Sequence, residues 1–232
     1  IAIGGLAGNS GQIQRSIAIG YQAGQANQGG AGGGYSIAFG SQAGQTNQSG
    51  NSVAIGTAAG RNTQGSGAIA IGFTAGQSTQ GTFSIAIGHL AAAWVQGSQS
   101  IAIGYQTGAA NNADDNIFIG TQAGANNNTG NGNIMIGSEA GFSNVTGNNT
   151  IAIGYNAGAN NIQGNKNINI GSQSSFNTIN SNNIISIGYQ SGYNVSGDNN
   201  IFIGPQSGYG NIAATGYENI GIGYNTLTRL ES

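Results

Sequence analysis

The sequence predicts an all-β parallel β-solenoid of about fourteen coils, 16–17 residues each, with two short strands per coil. Three observations carry this. A motif apolar-x-apolar-Gly recurs along the whole chain, beginning at Ile1, Ile17, Ile37, Val53, Ile69, Ile85, Ile101, Ile117, Ile134, Ile151, Ile168, Ile185, Ile201 and Ile220. The copies follow one another at 16 residues in most of the first half and at 17 from Ile117 to Ile185, with longer copies of 20 and 19 residues at Ile17 and Ile201. Within each copy the apolar residues alternate with period two, as a strand requires.

In the motif "IAIG" the first and third places share one strand face and the second points the other way. The isoleucine pairs are the expected ladders filling the coil: Ile1 and Ile3, Ile17 and Ile19, Ile69 and Ile71, Ile101 and Ile103, Ile151 and Ile153. The fourth place is glycine in every copy, through Gly4, Gly20, Gly40, Gly56, Gly72, Gly88, Gly104 and Gly120, and marks a corner. A second glycine follows four residues later in most copies, as at Gly24, Gly44 and Gly76. The small seventh place (Ala7, Ala23, Ala43, Ala59, Ala75) is expected to face the isoleucines from the second strand.

The twelfth place holds Gln12, Gln28, Gln48, Gln64, Gln80 and Gln96, then Val145, Ile162 and Ile179 in the longer copies. A column exchanging glutamine for isoleucine reads as partly or wholly inward-facing, with stacked amides bonding one another. Ser16, Ser36, Ser52, Asn116, Asn133 and Asn167 precede the motif and are expected to bond turn backbone. Thirteen steps of about 4.8 Å make a rod roughly 60 Å long. Residues 1–226 form one repeat domain, and 227–232, where Leu227 replaces a Gly or Ser, read as the start of a capping or trimerising segment.

The second place is alanine in eight copies and includes Ala18, Ala38, Ala54, Ala70, Ala86, Ala102, Phe118, Met135 and Phe202. An outward strand position usually carries Thr, Lys or Glu, so this column is expected to be a subunit interface.

Composition excludes several functions. Ten charged side chains in 232 residues give a net charge of −2, and Arg15, Arg61, Lys166 and Arg229 are too scattered to track phosphates, which argues against nucleic-acid partners. With no cysteine there is neither a disulfide framework nor a thiolate metal site. No apolar run approaches the roughly 20 residues of a membrane-spanning helix. The start at Ile1, in mid-repeat, points to a fragment or processed product.

The unit N/S-x-A-I-G-x-x-A/S, seen here as "SIAIGYQAG", "NSVAIGTAAG" and "NIFIGTQAG", resembles the head repeat of the YadA-like trimeric autotransporter adhesins, and is similar to repeats of phage and large-DNA-virus fibre proteins. The adhesin repeat is shorter by about two residues, and the additional ones here fall in the Asn/Gln/Gly segment. The resemblance covers all fourteen copies. It implies a left-handed parallel β-roll with three chains side by side and the valines and isoleucines inward. It further implies an extracellular or surface-exposed fibre, partnered by itself as a homotrimer and by a host-surface glycan or protein receptor.

Candidate sites are few. One histidine and six dispersed acids argue against hydrolytic chemistry, and no catalytic residue, cofactor or metal is expected. Asp114 and Asp115 read as a solvated corner rather than a metal site. The glycine-rich stretch Gln28–Ser36 lacks the lysine of a phosphate loop and reads as a looped-out corner. One irregular copy, "IGHLAAAWVQG", holds His89 and Trp94 and loses its second glycine to Ala92; these two residues are the candidate ligand contacts. The fifth-place tyrosines (Tyr21, Tyr105, Tyr155, Tyr189, Tyr224) read as structural, and the sequons at Asn47, Asn127, Asn144, Asn148 and Asn194 as chance. The chain is therefore expected to be a non-enzymatic structural or adhesive rod of a surface fibre, holding or forming a receptor-binding element. Rival readings are an ice-binding solenoid, an Asn/Gln-rich fibril and, last, a polysaccharide-cleaving solenoid.

Overall fold

The computed structural model describes residues 1–30, 34–210 and 216–228, and shows an all-β parallel β-solenoid with no helix among the described residues. It comprises two compact units, Ile1–Asp115 and Asn116–Ser232.

The first unit contains, in chain order, β1 (Ala2–Ile3), β2 (Ile17–Ile19), β3 (Ile37–Phe39), β4 (Val53–Ile55), β5 (Thr63–Gln64), β6 (Ile69–Ile71), β7 (Thr79–Gln80), β8 (Ile85–Ile87), β9 (Val95–Gln96), β10 (Ile101–Ile103) and β11 (Ala110–Asn111). The motif strands pair in parallel in the order β1-β2-β3-β4-β6-β8-β10, and β5, β7, β9 and β11 form a second parallel sheet. Register follows the repeat: Ile17 pairs with Ile37, Ala18 with Ala38, and Thr63 with Thr79.

The second unit contains β12 (Ile117–Ile119), β13 (Ile134–Ile136), β14 (Ile151–Ile153), β15 (Ile168–Ile170), β16 (Ile185–Ile187), β17 (Ile201–Ile203) and β18 (Ile220–Ile222), again parallel and in register. Here the expected second strand is replaced by turns and bends, and no strand of two or more residues occupies it among the described residues.

The corner is a tight turn. Ala23 N–H donates to the Gly20 carbonyl at 3.3 Å, and the sixth-place residue, such as Gln22 at φ 55°, is left-handed. The eight fourth-place glycines, Gly4 to Gly120, have φ between 122° and 136°. Glycine is required there twice over: a Cβ on Gly20 would stand 2.6 Å from the Gly40 carbonyl oxygen of the next coil.

The interior reverses the expected sidedness. Second-place residues fill the coil: Ala18, Ala38, Ala54, Ala70, Ala86, Ala102, Phe118, Met135 and Phe202 are all buried. Far from forming an outer interface, these side chains are the core, and the seventh-place Ala23, Ala43, Ala59 and Ala75 pack against that alanine column. The isoleucines lie on the outer face. Ile17, Ile19, Ile69, Ile71, Ile101, Ile103, Ile151 and Ile153 are half-buried, while Ile1 and Ile3 are exposed. The physical reason is width: the interior already holds two alanine columns and a glutamine column at close-packed spacing, which leaves no room for two further columns of branched side chains.

Glutamine does turn inward. Gln28, Gln48, Gln64, Gln80 and Gln96 are buried, and each Nε2 donates to the first-place carbonyl of its own coil, as Gln64 to Val53 at 2.8 Å. Three of them also donate to the next amide, Gln48 to Gln64 at 3.1 Å, Gln64 to Gln80 at 3.2 Å and Gln80 to Gln96 at 3.3 Å. The apolar continuation of this column does not stay inside: Val145 is half-buried, while Ile162 and Ile179 are 38% and 48% exposed and lie outside the core. In the second unit the inward place is the eleventh, held by Asn127, Asn144, Asn161, Thr178 and Val195. The shorter asparagines at Asn127 and Asn144 face coils whose second place is enlarged to Phe118 and Met135, so cross-sectional volume is kept.

Of the residues preceding the motif, Ser52 and Asn133 bond turn backbone as expected, Ser52 Oγ donating to the Ser49 carbonyl at 2.5 Å, whereas Ser16 and Ser36 bond each other. Ser36 Oγ donates to Ser16 Oγ at 3.1 Å, and Asn133 Nδ2 donates to the Gly147 carbonyl while its Oδ1 accepts from Thr150 N–H. Two expectations fall partly outside the described residues: the looped-out corner at Gln28–Ser36 includes 31–33, and the terminal segment 227–232 includes 229–232.

Candidate functional site

Parallel strands stacked in register place like over like, so the outward first and third places become two continuous apolar ridges on each unit's motif sheet. Away from the terminal coils, exposure along them reaches 37% at Ile37 and 52% at Phe39. Parallel sheets are ordinarily covered on both faces; here the coil interior covers one, and the ridges leave the other apolar and open. This ridged face is the strongest candidate interaction surface on either unit.

His89 and Trp94 are not brought into ring contact. The His89 imidazole lies edge-on between Phe73 (centroids 5.1 Å apart) and Tyr105 (5.4 Å), a fifth-place column of three consecutive coils. Trp94 is 68% exposed, just before β9, where the same place in the adjacent coils holds Ser78 and Ala110. Tyr21, Tyr105, Tyr155, Tyr189 and Tyr224 are all exposed. A column missed from the sequence is the ninth place of the second unit. Phe176, Tyr193 and Tyr209 stack face to face at 5.4 and 5.1 Å, with ring planes within 11°. Their spacing of 17 and 16 residues, read against the repeat, was the signal.

Asp114 Oδ1 accepts from Ser98 N–H at 2.6 Å, and Asp115 sits exposed in the left-handed region at φ 60°. No group of three or more His, Cys, Asp or Glu gathers into a metal-binding cluster among the described residues. Of the sequon asparagines, Asn127 and Asn144 are buried, each bonding the backbone three residues on.

The second unit carries a further surface column. Asn148, Asn165 and Asn182 stack one coil apart, each Oδ1 accepting from the backbone N–H of the residue one coil before it, and Asp198 ends the run by accepting from Asn182. Asn148 Nδ2 donates to Asn165 Oδ1 at 3.0 Å, Asn165 Nδ2 to Asn182 Oδ1 at 3.1 Å, and Asn182 Nδ2 to Asp198 Oδ1 at 3.2 Å. Beside this column runs a second, Asn149, Lys166 and Asn183, exposed and left-handed at φ 55–58°. Together they line a groove of about 660 Å³.

Comparison with protein-family models, with curated proteins and with solved structures finds no match to this chain.

Proposed function

We propose that this chain is a non-enzymatic structural element of a surface fibre, extracellular or on a particle surface. In this reading it self-associates through its isoleucine ridges into a homotrimer and holds or forms a receptor-binding element. The observation supporting it is the uncovered apolar face: in-register ridges of Ile, Val and Phe on a parallel sheet whose other face is already packed. The YadA-like resemblance of the repeat points the same way. The interface expected on the alanine column moves to the opposite strand face, and the self-association reading moves with it. A second copy offers the matching surface, since an apolar ridge repeated at one coil spacing interdigitates with its own kind.

The test is molar mass in solution by light scattering coupled to gel filtration, on the wild type and on Ile71→Thr/Ile87→Thr/Ile103→Thr. Threonine keeps the β-branched shape and removes the apolar surface. The expected result is a mass of three chains for the wild type, and a monomer with an unchanged circular-dichroism spectrum for the variant. A monomeric wild type overturns the trimer. An indefinite, concentration-dependent series would instead support the fibril reading.

A further inference from the structure

The asparagine groove of the second unit has a floor and a wall with different hydrogen-bonding status. In the floor, capacity is consumed internally. Asn148 and Asn165 each place both Nδ2 hydrogens, one on the next amide and one on a backbone carbonyl (Thr146 and Gln163), while their neighbours' Oδ1 atoms accept twice. In the wall, the backbone is pinned instead, with Asn149, Lys166 and Asn183 N–H donating to the carbonyls of Asn131, Asn148 and Asn165 at 2.9–3.0 Å. The wall side chains remain largely unspent: Asn183 Nδ2 donates to Asn199 Oδ1 at 2.9 Å, leaving its own Oδ1 and a second hydrogen, and Asn149 and Lys166 point amide and ammonium into solvent.

We propose that this groove binds an extended, neutral polysaccharide chain lying along the coil stack, with the wall residues Asn149, Lys166 and Asn183 as its contacts. Three features select that ligand. The lining is amide throughout apart from one lysine and one aspartate, so it carries no field to attract a polyanion or a polycation. It has no apolar wall for a lipid or a hydrophobic peptide side chain. Amides offer donor and acceptor side by side, as sugar hydroxyls do, and here they recur in a straight row at the strand spacing of about 4.8 Å. A polymer with hydroxyls repeating along a straight axis meets successive wall residues, whereas a compact ligand meets one. The pinned left-handed backbone holds the row in place before the ligand arrives, which reduces the ordering cost of binding.

This inference rests on the adhesive part of the function proposed above, but it is measured separately. Cellohexaose, maltohexaose and a β-1,4-linked N-acetylglucosamine hexamer are titrated into the full chain, followed by calorimetry and by the side-chain NH₂ resonances of the asparagines. The decisive variant is Asn149→Gly/Lys166→Gly/Asn183→Gly. Glycine accepts the left-handed backbone, and the same column already holds Gly132 at φ 65° one coil earlier. Saturable binding of at least one hexamer is expected, with shifts at Asn149 and Asn183, weakened at least about tenfold in the variant at unchanged melting temperature. Should that variant unfold, Asn149→Asp/Asn183→Asp keeps the backbone preference and must still alter the affinity. No saturation by about 1 mM, shifts centred on Trp94, or affinity indifferent to these substitutions overturns the proposal. A trimer that binds none of the hexamers removes the groove and leaves the fibre reading standing.

Discussion

Gly124 lies directly beneath the ring of Phe118: a Cβ on Gly124 would stand 2.7 Å from Phe118 Cδ1. The second glycine of the repeat thus does more than turn a corner. It clears space for whatever large side chain fills its coil, and Gly24 does the same for Gln28, whose Cδ would lie 2.6 Å from the added carbon. Gly124→Ala should lose about 2–4 kcal/mol, from overpacking and from a side chain at φ 57°. Phe118→Ala alone should also destabilise, by about 3–5 kcal/mol. In the double variant the two costs should fall well short of their sum in chemical denaturation, because the smaller residue relieves the clash. Simple additivity would show that the two residues do not compete for the same space.

The reversed sidedness of the motif strand is tested by neighbours. Ala102 is buried and Ile103 half-buried on the outer face. Ala102→Asp places an unpaired charge inside the coil and should unfold the first unit or lower its melting temperature steeply. Ile103→Asp should leave the fold of the single chain intact and weaken self-association. Thermal melts beside light scattering decide it, and equal damage from both would mean that neither face is free.

The glutamine ladder predicts a pH-dependent variant. Gln64 Nε2 points at three acceptors, the Val53 and Ala68 carbonyls and Gln80 Oε1. In Gln64→Glu a protonated acid can still donate there, whereas in a carboxylate one oxygen keeps the hydrogen bond from Gln48 Nε2 and the other is turned on acceptors in a buried site. Its folded-state pKa is therefore raised above the unfolded value of about 4.3. The variant should be nearest to wild type below about pH 4 and lose stability as pH rises toward the folded-state pKa; a pKa raised by about 3 corresponds to about 4 kcal/mol at neutral pH. Melting temperatures at pH 4 and 7 provide the check, and a variant more stable at pH 7 than at pH 4 would contradict the buried assignment.

Asn169 occupies the second place of its coil, fully buried in register between Ala152 and Ser186, and neither its Oδ1 nor its Nδ2 has a protein partner. An unsatisfied buried amide costs about 1–3 kcal/mol, so Asn169→Ala, which restores the majority residue of this column, should raise stability by about 1 kcal/mol. A marked fall in melting temperature would instead reveal a bound internal water that the amide holds.

Much of the fold was legible because in-register parallel pairing converts sequence spacing directly into geometry. Once Ile17, Ile37 and Val53 are aligned, their strands, the stacked Gly20, Gly40 and Gly56, and the neighbouring Gln48 and Gln64 follow. Less of the surface was legible. The exposure of Trp94 could be anticipated from a break in the repeat, but the Phe73–His89–Tyr105 contacts and the asparagine groove depend on which columns share a surface.

By itself, the sequence determined the coil length, the parallel register and the corner positions, since each depends only on residue spacing and on where glycine alone fits. Only the tertiary structure decided which side of "IAIG" is inside, because period-two alternation is unchanged when the strand is turned over. The choice falls to the width of the closed coil. With Ala23 and Gln28 already inside, Ala18 fits and Ile17 and Ile19 do not, and where Phe118 and Met135 enter the core the inward amides beside them are the shorter Asn127 and Asn144.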